Sequence, residues 1–295
     1  MKIIHSIKSI QNLVLKFKQH NKKIGFIPTM GALHQGHIFL IRRARKETDI
    51  VVVSIFVNPT QFCPKEDFSK YPRPIKKDIA ICKNEGVDLV FAPEPSEMYP
   101  ENYLTYIMVE KLSDIMCGKF RPGHFKGVAT IVAKLFNIVQ PDKAYFGLKD
   151  FQQSVIIRKM VSDLNFPVQI ITCPTVREKY GLALSSRNAY LTGAERKRSL
   201  AISFALQMAK NLIKHKNVKL AKKIISEMKK ILSEIRFGGK IRRGGILPNV
   251  DKIDYIDIRD AETLKEVKYI KSKVVIAVAV IVGKTRLIDC VVVDL

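Results

Sequence analysis

The 295-residue chain is 47% hydrophobic and 26% charged, a balance that excludes a disordered polypeptide and, at ~100–200 residues per domain, reads as two globular domains. Its longest apolar run, VVIAVAVIV at 274–282, falls far short of the roughly 20 residues of a bilayer crossing, so no membrane span is expected. The formal net charge of +24 comes from 51 Lys and Arg against 27 Asp and Glu, but the excess is spread, +10 before residue 175 and +14 after it (25 against 15, then 26 against 12).

A nucleic-acid module needs a clustered basic stripe with interleaved aromatics, and the densest basic groups here carry few. The charge therefore reads as a lysine-rich solvated surface, with nonspecific polyanion affinity as the alternative. Five cysteines are odd in number and nowhere spaced CxxC, which argues against a disulfide framework and a thiolate metal site. The amino terminus mixes apolar residues with lysines in an amphipathic pattern and lacks a small-residue cleavage site, so a cytoplasmic protein is expected.

From residue 24 the chain alternates strand-like and helix-like segments. IGFIP precedes a helix from about His37 to Lys46; IVVVSIFV precedes one near 75–85; VDLVFA precedes one over GVATIVAKLFNIV; AYFG precedes one after Asp150; VQIITC closes the series. These strands are continuous β-branched or aromatic runs, as expected for strands buried on both faces, and βαβα alternation of such runs predicts an α/β, doubly wound parallel sheet. Beyond a boundary near 175 come helices from about Gly193 to His215 and Val218 to Ile235, and then a glycine-rich basic connection at 238–249, expected to be exposed and mobile. YIDIRD, KVVIAVAVIV and TRLIDCVVV follow, the last two separated by a Gly-Lys turn, which makes residues 176–295 a smaller α+β domain behind the 1–175 domain.

Ligands of doubly wound sheets bind at the carboxyl ends of the strands, so the loops after each strand carry the chemistry. They hold Met30-Gly31-Ala32-Leu33-His34-Gln35-Gly36-His37, then Asn58 to Gln61, then Gly147-Leu148-Lys149-Asp150 with Gln153, and last a run with Leu184-Ser185-Ser186-Arg187. A glycine turn at a helix start is expected to offer free backbone N–H groups to phosphate. His34 and His37, three apart, can aim both rings at one point, although one of them could merely cap the helix; with no Glu between them and no third ligand, HExxH metal chemistry is disfavoured. Neither GxxxxGK[ST] nor GxGxxG follows the first strand, which leaves adenylyl transfer at an α-phosphate. Lys149 supplies a mobile charge and Arg187 a planar fork for phosphate oxygens, while Asn58, Gln61 and Gln153 suit hydroxyl and carboxylate recognition.

PTMGALHQGH, SIFVNPTQF, FRPGHFKGVAT, AKLFNIVQPDKAYFGLKDFQQ and REKYGLALSSRN, in this order and spacing, resemble the pantoate–β-alanine ligase (pantothenate synthetase) family over nearly the whole chain. The resemblance implies a Rossmann-like domain with a C-terminal lid, a homodimer, and a two-step reaction in which ATP, with Mg²⁺ on its phosphates, activates pantoate as an adenylate that β-alanine then captures. It also implies that Met30 through His37, Gly147 through Asp150, Val176 and Leu184 through Arg187 contact ATP. His37, His34, Lys149 and Arg187 would be catalytic, and Gln61, Gln153 and Asn58 would hold substrate, with no protein metal site, no membrane and no specific nucleic acid. Leu148, the Lys179-Tyr180 pair and the length of the 238–249 connection depart from the usual family pattern. Two alternatives stay open: another HxGH adenylyltransferase, and a nucleic-acid-binding protein supported by charge alone.

Overall fold

The computed structural model describes residues 1–64, 66–233 and 249–295. They form two compact units, Met1–Leu148 with Gln152–Pro174, and Lys149–Phe151 with Thr175–Leu295.

The first unit is built on six parallel strands, β1 (Lys2–Ile4), β2 (Ile24–Thr29), β3 (Ile50–Ile55), β4 (Leu89–Phe91), β5 (Lys143–Gly147) and β6 (Gln169–Cys173), in the order β1-β4-β3-β2-β5-β6. Its helices are α1 (Ile7–Gln19), α2 (Gln35–Glu47), α3 (Ile75–Asn84), the single turns α4 (Pro95–Met98) and α5 (Cys117–Phe120), α6 (His124–Val139) and α7 (Phe151–Asp163). Strand side chains alternate between faces. Ile27, Val51, Val53, Val90 and Tyr145 meet Leu40, Ile41 and Ala44 of α2 and Cys82 of α3, while α6 packs on β2 and against α1. Burying a Val, Leu, Ile or Phe side chain contributes about 1.5–3 kcal/mol, so the two-sided cover explains why the strands read as unbroken apolar runs.

The chain leaves β2 toward β3 and β4 on one side and returns to β5 and β6 on the other. The carboxyl ends of β2 and β5 therefore flank the switch point, the place where open α/β sheets bind ligands. The turn after β2 carries His34 and His37, and the turn after β5 begins at Gly147.

In the second unit α8 (Gly193–Lys214) starts on a Thr192–Glu195 capping box and packs with α9 (Ala221–Ser233) on an antiparallel meander of β7 (Lys252–Asp260), β8 (Val274–Val282) and β9 (Thr285–Val293). Ile202, Leu206, Ile224 and Met228 from the helices meet Ile276, Val278 and Val280 of β8 in one core. The Gly-Lys turn is a two-residue hairpin loop with Gly283 at φ +60°.

The α/β class and the α+β character of the second unit are as the sequence pattern implies. The pattern missed β1 and α1, and it started α6 three residues late, because His124 and Phe125 were not seen to be part of the buried face. α9 begins at Ala221, not Val218; the end of that helix beyond Ser233 and the connection at 238–248 lie outside the described residues. Among the described residues, no helix is long and apolar enough to cross a membrane.

Candidate active site

β2 ends at Thr29, whose hydroxyl donates to Ser54 O (2.7 Å) and accepts from Gly31 N (3.1 Å). The next two residues take left-handed backbone, Gly31 at φ +78° and Ala32 at φ +50°, the second an unfavourable conformation for a residue with a Cβ. Asp78, buried at 1% exposure in the first turn of α3, holds that turn: its Oδ2 accepts from Ala32 N and its Oδ1 from Leu33 N, both at 2.8 Å. Burial pushes the Asp78 carboxyl up from its ordinary pKa, against the lowering effect of the two amides. The sequence expectation of free donors at this turn is thus corrected, because the amides of Gly31, Ala32 and Leu33 are already spent on Thr29 and Asp78.

The structure shows both histidines in the capping role that the sequence left open. His34 is the N-cap of α2; its Nδ1 accepts from Gly36 N (3.1 Å), and Nδ1 of His37 accepts from His34 N (3.2 Å), a reciprocal box. Gly36 is required here, since a Cβ would lie 2.8 Å from Cε1 of His34. A ring nitrogen that accepts carries no proton, so each neutral imidazole is an Nε2–H donor. The ring centroids are 4.1 Å apart. The pair sits at the positive end of a helix, an arrangement suited to phosphate.

The loop after β3 folds into a 3-10 turn, Pro59–Gln61, capped by Asn58. Asn58 is buried and its amide is fully occupied: Nδ2 donates to Gln61 Oε1 and to Gly127 O, both 3.1 Å, and Oδ1 accepts from Tyr99 OH (2.9 Å) and the Thr60 hydroxyl (3.0 Å). Gln61 Nε2 donates to Met30 Sδ (2.7 Å), which ties this loop to the β2 turn. α6 comes this close because residue 127 is glycine; a Cβ there would lie 2.3 Å from Thr60 O.

Behind Gln61, Arg121 donates to both Glu66 oxygens (2.6 and 2.7 Å) and to His124 Nε2 (2.9 Å). His124 must then carry its proton on Nδ1, where it donates to Gln61 O (2.7 Å). Burial works to raise the Glu66 carboxyl, but the Arg121 guanidinium outweighs it and holds the group below its ordinary range. On α7, Gln152 is buried and tied to Cys117 N, Leu112 O and Ile115 O, whereas the neighbouring Gln153 is part-exposed and its side chain has no hydrogen-bond partner among the described residues.

Within the second unit, Val176 O accepts from Leu184 N (3.0 Å), closing a hairpin whose turn is held by Gly181 N donating to Glu178 O (2.9 Å). Arg177 fixes the hairpin to β9 through a two-pronged pair with the buried Asp289 (2.6 and 3.0 Å). The next residue of β9, Cys290, directs its Sγ at Lys149 O (3.9 Å). Ser185 caps a 3-10 turn over Ser186–Tyr190 by accepting from Arg187 N (3.3 Å), and the buried Asn188 links that turn to Glu178 and Ala183 O. Lys179 and Tyr180, the departures noted in the sequence, lie at the exposed hairpin tip.

The sequence therefore picked out groups that the structure does assemble: His34 with His37, Met30 and Asn58 with Gln61, and Val176 with Leu184. It missed the residues that hold them, Asp78, Tyr99, Arg121, His124, Gly127, Arg177 and Asp289. A signal existed for Asp78, which stands four residues before the apolar Cys82 on the inward face of its helix.

The family model described as pantoate-beta-alanine ligase matches residues 2–292. A pantothenate synthetase from Moorella thermoacetica is 50% identical over 294 residues, covering 100% of this chain and 99% of the relative, and one from Caldicellulosiruptor saccharolyticus is 47% identical over 100% of both. The crystal structure of pantothenate synthetase from Thermus thermophilus superposes with a TM-score of 0.88 at 39% identity over 99% of each chain. The Francisella tularensis pantoate-beta-alanine ligase, complexed with beta-gamma ATP and beta-alanine, gives 0.76 at 35% over 99% of this chain and 97% of that one. With the family model spanning almost its full length and relatives near half-identical from end to end, the chain belongs to the pantoate–β-alanine ligase family.

Proposed function

We propose that this enzyme joins pantoate to β-alanine in two steps through a pantoyl adenylate. In the first, a pantoate carboxylate oxygen attacks the α-phosphorus of ATP and pyrophosphate leaves. In the second, the amine of β-alanine attacks the acyl carbon, AMP leaves with the bonding pair, and the amine gives up its proton. The observation that carries the reading is the His34–His37 box, in which both Nδ1 atoms are tied to backbone and both protons sit on Nε2. Such preorganised donors stabilise charge that builds on the transferring phosphoryl group and need no reorganisation when it does.

In the first unit, Met30 through His37 and Gly147 through Leu148 contact ATP, with His34 and His37 on the phosphates. Gln61 and Gln153 hold pantoate, and Asn58 belongs to the same subsite. In the second, Lys149, Asp150, Val176 and Leu184 through Arg187 contact ATP, with the Lys149 ammonium and the Arg187 fork neutralising phosphate charge. The division of labour is then 1–175 for nucleotide and pantoate and 176–295 for the lid. Among the described residues, no group of three or more His, Cys, Asp or Glu could hold a metal ion. Mg²⁺ binds through substrate phosphates and retained water, so we assign it to the substrate, as MgATP. A homodimer in the cytoplasm completes the reading; five scattered cysteines, none spaced CxxC, agree with that compartment.

The test is pantoate-dependent exchange of labelled pyrophosphate into ATP, followed by AMP release on adding β-alanine. Exchange that proceeds without pantoate, or AMP release that ignores β-alanine, would overturn the two-step order.

A further inference from the structure

A glutamine can meet a ligand oxygen-first or NH₂-first, and the surroundings of Gln61 determine which. Asn58 is pinned at both ends by backbone groups of single polarity: Thr60 N–H (3.4 Å) can only donate to its Oδ1, and Gly127 C=O (3.1 Å) can only accept from its Nδ2. Tyr99 OH, donating to Oδ1 at 2.9 Å, reinforces the same orientation. The second Nδ2 hydrogen is therefore directed at Gln61, which must answer with Oε1 (3.1 Å). Gln61 is left with its NH₂, of which one hydrogen goes to Met30 Sδ and the other has no acceptor among the described residues.

We infer that Gly127, Asn58 and Tyr99 form a polarity relay that locks Gln61 as a donor, so that this subsite selects pantoate through acceptor oxygens. The inference rests on the assignment of Gln61 to pantoate and deepens it. Asn58 and Tyr99 are then positioning residues acting through Gln61. The relay also gives Gly127 a role in recognition: only a glycine lets the α6 carbonyl reach Asn58 while its Cα lies against Thr60. An anionic substrate is matched by such a donor, and a misoriented amide would set oxygen against oxygen, leaving buried groups unpaired.

The experiment is the pantoate and ATP dependence of pyrophosphate exchange, measured on the full chain and on Gln61→Ala, Gln61→Glu, Asn58→Asp and Tyr99→Phe, each checked for folding by thermal melting. Asn58→Asp and Gln61→Glu are expected to raise the pantoate KM at least ~10-fold and Tyr99→Phe about 3-fold, with the ATP KM within about twofold of the parent. If Gln61→Ala raises the pantoate KM while Asn58→Asp and Tyr99→Phe leave it unchanged, the relay is wrong and the pantoate assignment stands. If Gln61→Ala leaves it unchanged too, the assignment beneath falls. Equal rises in both KM values would mark general loosening and overturn the relay. Should Asn58→Asp fail to fold, Tyr99→Phe, which only deletes an oxygen, decides alone.

Discussion

His37 has two jobs on two nitrogens, and a variant can separate them. Nδ1 accepts a cap hydrogen bond from His34 N, while Nε2 is the nitrogen we propose as the donor to phosphate. His37→Ala loses both, and is expected to lower the adenylation rate by about 10²–10³ while costing about 1 kcal/mol of stability. His37→Asn places an amide oxygen near the old Nδ1, so it should recover the stability and none of the rate. Single-turnover adenylation and thermal melts on the two variants check this; a His37→Asn enzyme of parental rate would take the ring off the catalytic list. Gln153→Ala, with no internal bond to lose, should raise the pantoate KM at unchanged melting temperature, read from the same exchange assay. The spacing of His34 and His37 made the pair visible in the sequence. Their tautomers were not, because a tautomer is set by what the opposite nitrogen meets, and the partners were backbone amides whose direction depends on the turn.

Among the elements, α3 shows how a helix remote from the β2–α2 turn in sequence can fix its shape. Ala32 stays at φ +50° because Asp78 receives its N–H and that of Leu33 on two separate oxygens. Asp78→Asn offers one acceptor and turns an NH₂ toward the other N–H, so the turn should relax. The expected cost is about 1–3 kcal/mol by denaturant melts, together with a higher ATP KM. An Asp78→Asn enzyme with parental stability and ATP dependence would show that the turn holds itself. Periodicity gave most of these elements, because strands buried on both faces and amphipathic helices announce themselves. It missed β1, three residues long and partly exposed, α1, whose lysine-rich amphipathic pattern was weighed only as a targeting segment, and the start of α6, where a histidine and a phenylalanine continue the buried face. What periodicity could not supply was pairing at a distance: Asp78 with residue 32, Gly127 with Thr60, Arg177 with Asp289.

Across the whole molecule the charge of +24 has a thermodynamic consequence even with no polyanion bound. Self-repulsion opposes the compact state and is screened by salt, so melting temperature at neutral pH should rise by a few degrees between low salt and about 0.3 M NaCl. Acid adds to the repulsion as carboxylates lose charge, and here individual groups act with opposite sign. Glu66, Asp251 and Asp260 are held below their ordinary pKa, Glu66 chiefly against its own burial by Arg121, and the two aspartates by hydrogen bonds from Arg198 and from the Thr263 amide. Such groups stabilise the fold above the unfolded pKa and lose that contribution as pH falls through the folded one. Asp78 and Asp289 are raised by burial, so holding each one ionised carries a cost at neutral pH that fades as acid protonates it, whatever its hydrogen bonds contribute. The Glu66–Arg121 pair, with 20% and 12% of its side chains exposed, provides the cleanest test. Glu66→Gln should cost about 3 kcal/mol at pH 7, since it leaves a buried guanidinium without its counter-charge. Below the folded pKa of Glu66, which the Arg121 guanidinium holds beneath the ordinary carboxylate value, parent and variant both present a neutral group to Arg121, so their melting temperatures should converge. A gap that persisted unchanged after the Glu66 carboxyl itself had been titrated, followed by its NMR shift, would mean that shape, and not charge, holds Arg121 behind the Gln61 loop.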